Sequence, residues 1–219
     1  MAEPSLSFAH GARKVLPFSI AVLGFGISFG VLARPVMGPV APIVMSAVTF
    51  AGSAQFAAAS ILSAGGTLAA AVIAAVLLNA RYGPIGVSVA PSLSGSVWSR
   101  FLRAQLVVDE TWALSADGRG GHDPKIIVGA GLVLYAAWVG GTTAGVLFGD
   151  LLGDPERLGL DAAFPALFLA LLVPNLDRPQ ARVAALLGAA IALALTPIAP
   201  AGVPIVAAGL ACLVGWRRS

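Results

Sequence analysis

The sequence predicts an all-α, polytopic transmembrane bundle of about seven to eight helices, at roughly 20 apolar residues per span. Three observations predict it. Hydrophobic residues fill 58% of the 219 positions and charged residues only 11%, against about 25% charged in an ordinary soluble domain. Mean hydropathy is +0.92, so the chain covers itself with lipid. The apolar runs are continuous, as in Leu68 to Leu78, whereas the strands of a membrane barrel alternate apolar and polar residues.

Candidate spans are 15–33, 40–62, 67–90, 126–148, 160–176, 181–198 and 203–216. The first follows Arg13 and Lys14. Its run of about 19 apolar residues exceeds the roughly 7 to 15 of a cleaved signal, so it reads as a retained span. Gly24, Gly26 and Gly30 there, and Gly141, Gly145 and Gly149 in 126–148, give small-residue faces where helices approach closely. In the second span Ser46, Thr49, Gly52, Ser53 and Gln55 make one polar side. Such a side either joins helices by hydrogen bonds or lines a polar path.

The third span carries the strongest signal. Its apolar text is interrupted by Asn79, Arg81, Tyr82, Gly83 and Pro84. A guanidinium at membrane depth costs about 2.5 to 3.5 kcal/mol on insertion scales, so it must face a partner or a watery cavity. Pro84 lacks an amide hydrogen and Gly83 relaxes the backbone, which predicts a broken helix near 79–84. A broken helix bearing a charge and an amide is the form of a transport site. In the polar segment 99–125, Asp109 and Glu110 sit within an apolar helical frame. They read either as solvated charges of an interfacial helix or as a half-buried carboxylate that pairs with Arg81 or carries a proton. Trp98 and Trp112 read as interfacial belt residues.

Gly26 to Leu32 matches Gly141 to Leu147 in frame, and Pro84-Ile85 matches Pro197-Ile198. Repeat halves 15–98 and 126–203, joined by 99–125, are expected within a single membrane domain. Topology is less tidy. Arg13 and Lys14 place the N-terminus in the cytoplasm, and Arg100, Arg103, Arg119 and Lys125 place 99–125 there too. Three spans between them are one crossing too few or too many. Either Phe101 to Ala116 crosses as a linker helix, or 67–98 is a re-entrant pair with 99–116 on the cytoplasmic face.

Other classes fare poorly. The net charge of +3 is spread over loops and suits membrane topology rather than nucleic acid. Cys212 is the single cysteine, so no internal disulfide is expected. His10 and His122 are read as loop residues, which leaves no Ser/His hydrolase pair. No zinc-ligand cluster and no GxxxxGK[ST] phosphate loop occurs in the sequence, so neither an enzyme nor a cofactor is expected.

Three pieces in order carry a family resemblance: Leu16-Pro17-Phe18 with Gly26 and Gly30, Ser46 with Phe50 to Phe56, and Leu78-Asn79-Ala80-Arg81-Tyr82 running to Ala90-Pro91. With Asp109-Glu110 after them, the stretch 15–116 resembles the AzlC family, the large membrane subunits of two-component branched-chain amino acid exporters. That family often has histidine where Tyr82 stands. The resemblance implies proton-motive-force-driven export of leucine, isoleucine, valine and related amino acids across the inner membrane. It also implies a small AzlD-like membrane partner.

The expected site therefore gathers Ser53, Gln55, Asn79, Arg81 and Tyr82 for substrate, with Asp109 and Glu110 for proton coupling. Arg81 would attract an α-carboxylate, while Gln55, Asn79 and freed carbonyls would take the ammonium. A non-transporting scaffold subunit, or a carrier or channel for another small solute, stays open at this point.

Overall fold

A computed structural model describes residues 8–117, 121–152, 169, 172–173, 176, 179–200 and 203–211. Among these residues the chain is helical: α1 (Phe8–Met37), α2 (Ala41–Thr49), α3 (Gly52–Ser63), α4 (Leu68–Asn79), α5 (Tyr82–Val89), α6 (Val97–Ala104), α7 (Asp109–Ser115), α8 (Pro124–Phe148), α9 (Pro179–Leu195) and α10 (Val203–Ala208). Two expected spans, 40–62 and 67–90, are each broken into two helices, which contributes to the ten among the described residues. Most of the 160–176 span, and Cys212, lie outside the described residues. His10 falls in the first turn of α1, not in a loop.

Among the described residues two helices, α1 and α8, are long and apolar enough to cross a membrane, and α4 with the stretch Tyr82–Ser92 passes the same test as a pair bent by 41°. The long pair is packed through glycine. A methyl group on Gly11 would stand 2.8 Å from the Ile126 carbonyl oxygen, and one on Gly26 would stand 2.7 Å from that of Trp138. Gly30 meets Thr142 and Gly145 in the same way. Contacts advance along both helices together, so α1 and α8 run parallel, with Gly26 against Gly141 and Gly30 against Gly145. Small residues let the backbones touch, and dispersion then substitutes for the hydrophobic drive that lipid removes.

With α8 as a ruler of about 37 Å at 1.5 Å per residue, the other helices fall into order. Ser46 of α2 hydrogen-bonds Thr142 at 2.9 Å, and the next residue's carbonyl, on Ala47, accepts from Tyr135 at 2.8 Å. Thus α2 descends to mid-depth. There Phe50 turns left-handed (φ 42°) and Ala51 is extended, which ends α2 and starts α3. Next, α3 climbs back past Trp138 and sets Phe56 edge-on to Phe29, ring centroids 5.5 Å apart. The expected span 40–62 is therefore a re-entrant hairpin whose tip is Phe50-Ala51.

From the end of α3, α4 returns antiparallel, with Ala71 and Ala74 in one buried cluster with Ala58 and Ile61. After the bend, α5 continues down until Val89 and Leu93 pack with Ile127, near the start of α8. The rising α6 brings Leu106 against Gly131, and α7 falls again to Ser115, whose carbonyl accepts from the Asp123 amide. Segment 97–115 is thus a second hairpin entering from the opposite side. Phe101 to Ala116 is therefore two short helices and not one crossing linker helix. If the bent α4–α5 pair is counted as one crossing, the basic segment falls on the same side as Arg13 and Lys14, which is what the positive-inside rule asks.

The break in the third span falls at Ala80-Arg81, just before Gly83-Pro84. Pro84 occupies the first turn of α5, where a missing amide hydrogen has no intrahelical partner to lose.

Candidate functional site

Arg81 sits at the bend, and its donors are all engaged. Nε lies 3.1 and 3.3 Å from the two Asp109 carboxylate oxygens, and Nη2 lies 3.0 Å from Asp109 Oδ2. Nη1 donates to Ser53 Oγ at 3.0 Å and to the Leu78 carbonyl at 2.8 Å. Nη2 also reaches Tyr82 Oη at 3.3 Å, and the guanidinium carbon stands 4.8 Å from the centroid of that ring. Four of the expected residues therefore meet: Ser53, Arg81, Tyr82 and Asp109. They come from α3, from the bend and from the first turn of α7, so the bent span touches both hairpins here. Ser53 follows Gly52, which abuts the mid-helix Trp138 ring of α8. Asp109 follows Val108, in one core cluster with Ala130 and Leu134. The ion pair is thereby fixed near mid-depth.

Local structure positions the carboxylate. Thr111 Oγ1 accepts from the Val108 amide at 2.9 Å and donates to the Leu106 carbonyl at 2.9 Å, which closes the start of α7. Asp109 and Glu110 then occupy its first turn, where free amides and the helix dipole favour negative charge. Glu110 is half-buried beside the pair and forms no salt bridge among the described residues. Asn79 closes α4, and its enclosed Oδ1 meets no hydrogen-bond donor among the described residues. A buried acceptor left without a donor costs about 1 to 3 kcal/mol.

Gln55 is placed elsewhere. It is fully buried, with Nε2 donating to Ser46 Oγ at 2.8 Å and Oε1 accepting from Trp138 Nε1 at 2.9 Å and from the Ala51 amide at 3.3 Å. Ser46 in turn meets Thr142. This network ties the outer hairpin to α8 and engages both ends of the buried Gln55 amide. Trp138 is its core anchor rather than a belt residue, while Trp98 is 76% exposed on α6.

Below the bend, α5 and α6 stand apart and leave between them an open chamber of about 500 Å³. Tyr82, Thr49 and Gln105 line its upper end and Leu93 and Val97 its base. Gln105 Nε2 donates to the Val48 carbonyl at 2.7 Å, joining the tip of the inner hairpin to the last turn of α2.

The model of the family described as AzlC protein matches residues 17–152, which include every residue of this site. The chain belongs to the AzlC family. It is 34% identical to an uncharacterized membrane protein of Archaeoglobus fulgidus, over 97% of this chain and 96% of that one. Inner membrane protein YgaZ of Escherichia coli K12 is 26% identical over 96% of this chain and 89% of its own length. The branched-chain amino acid transport protein AzlC of Bacillus subtilis is 25% identical over 83% of this chain and 74% of its own. No solved structure matches significantly. This AzlC-family chain is a multi-pass protein of the cell membrane.

Sequence reasoning placed Thr49 on the polar side of the second span but missed Gly86 and Gln105 of this AzlC-family chamber. Gln105 carried a usable signal, an amide between Ala104 and the apolar run Leu106-Val107-Val108. Thr142 carried another, since a hydroxyl between packing glycines of a membrane span needs an acceptor or donor nearby.

Proposed function

We propose that this protein is a secondary transporter, not an enzyme. It exports branched-chain or other aliphatic amino acids, is driven by the proton-motive force, and works with a small AzlD-like membrane subunit. The observation that carries the reading is the Arg81–Asp109 pair, held at a helix break where two re-entrant hairpins meet. An intramembrane ion pair is costly to maintain and is kept where it does work. A zwitterionic amino acid replaces that pair group for group. Its α-carboxylate takes Arg81, and its ammonium takes Asp109 and the unpaired Oδ1 of Asn79. The name of the Bacillus subtilis relative supports the substrate class.

Coupling follows from competition. A proton arriving from outside on Asp109, or on Glu110 beside it, neutralises the carboxylate that holds the ammonium and releases the amino acid outward. Losing the proton to the cytoplasm restores the carboxylate for the next ammonium. Proton entry and amino acid exit are then exclusive at one carboxylate, which is an antiport.

The test is reconstitution in liposomes, with and without the small subunit, against a panel of labelled amino acids under a pH gradient. Gradient-dependent movement of aliphatic amino acids that is lost in Arg81→Ala, at normal protein yield, is expected. Wild-type rates in Arg81→Ala would remove Arg81 from the site. No movement or binding of any amino acid in either preparation would leave a scaffold subunit instead.

A further inference from the structure

The geometry points to the chamber between α5 and α6 as the compartment for the solute's apolar side chain, with Gly86 setting the largest side chain it accepts. This rests on the transporter reading and adds the residue that selects among aliphatic solutes. Tyr82 supplies the link, because it touches the Arg81 guanidinium and lines the chamber. A solute whose charged head occupies the ion pair therefore has its side chain within reach of this space. Below Tyr82 the walls are mostly hydrocarbon, from Ile85, Val89 and Leu93 to Val97 and Phe101, with Arg100 also in the lining. The volume of about 500 Å³ lies within the roughly 300 to 1,000 Å³ of small-molecule sites.

Gly86 is the unexplained residue of that wall. Glycine inside a helix costs conformational entropy and usually serves a tight turn or a close approach. Gly26, Gly30, Gly141 and Gly145 each meet backbone of the facing span. Gly86 has no left-handed φ, and a Cβ built on it meets no atom within 4 Å. Neither turn geometry nor packing accounts for it. What its missing side chain preserves is free space, one turn below Tyr82 and next to where the side chain of a bound amino acid would enter.

The experiment measures efflux of alanine, valine and leucine, together and singly, from proteoliposomes with wild type, Gly86→Ala, Gly86→Val and Gly83→Val. Gly83 shares α5 and also has open space around its Cβ, but it does not line the chamber. Gly86→Val should lower the leucine-to-alanine ratio by about 10-fold or more and Gly86→Ala by a smaller factor, since one methylene of fit is worth about 10- to 200-fold. Gly83→Val should keep the wild-type ratio. If wild type transports the series and the ratio is unchanged in Gly86→Ala, or shifts equally in Gly83→Val, this assignment is overturned while the transporter reading stands. If wild type moves none of the three, both fall together.

Discussion

Arg81 and Asp109, 28 residues apart in sequence, hold each other through Nε at 3.1 Å and Nη2 at 3.0 Å. The contact joins the bend of a membrane span to the first turn of α7, so one ion pair couples two elements with no covalent path nearby. Neither partner is sealed: their side chains keep 30% and 32% of their exposure. That combination suits a pair that must open, since a wholly enclosed pair would be too costly to separate.

A double-mutant cycle reads the pair directly. Arg81→Ala, Asp109→Ala and the double variant, compared by thermal unfolding in detergent, should give a coupling energy toward the low end of about 0.5 to 3 kcal/mol. Partial exposure of both side chains keeps it low. Transport should respond more than stability, with each single variant losing about 10- to 100-fold as a charged hydrogen bond is removed. Additive stabilities, within error, would mean that the two residues do not act as a pair.

How much of this was legible depends on what each residue costs in lipid. Arg81 and Asp109 stand out in sequence because a charge in apolar text demands an answer, and each is the other's. Phe50 gives no such signal: a left-handed aromatic looks like any other apolar residue, so 40–62 read as one crossing and the topology would not close. Gln55 was read as a solute ligand because a buried amide satisfies hydrogen bonds in a packed network and in a pathway equally well. Only Ser46, Trp138 and Thr142, brought from two distant segments, decide between them.

That network predicts a stability phenotype for Gln55. Gln55→Leu keeps the volume but strands the Trp138 indole N–H and the Ala51 amide, at about 1 to 3 kcal/mol for each buried donor left unpaired. The melting temperature should fall markedly, while the folded fraction keeps its substrate preference. An unchanged melting temperature with altered preference would return Gln55 to the solute site.

The parallel spans make a contrasting pair of glycine predictions. In Gly30→Leu the new side chain runs into Thr142 and Gly145 backbone, which has nowhere to yield, and α1 must part from α8. Gly24 lies on the same helix with open space at its Cβ, so Gly24→Leu should stay within about 0.5 kcal/mol of wild type. Monodispersity and melting of the purified variants check both. Equal behaviour would mean the α1–α8 contact does not hold the fold.

Phe50→Gly sets two effects against each other at the outer hairpin's tip. Glycine relieves the left-handed backbone, a gain of about 1 to 2 kcal/mol. It also removes a buried ring, 7% exposed and packed edge-on to Tyr135 with centroids 5.2 Å apart. Deleting a core aromatic costs about 3 to 5 kcal/mol, so packing outweighs strain and the variant should be less stable by about 1 to 4 kcal/mol once both are counted. Phe50→Asn tests the same balance with a residue that tolerates the left-handed region, and should lose stability by a similar amount. If either variant melts above wild type, the backbone strain at Phe50 exceeds its packing, and the tip is a strained hinge held by its neighbours.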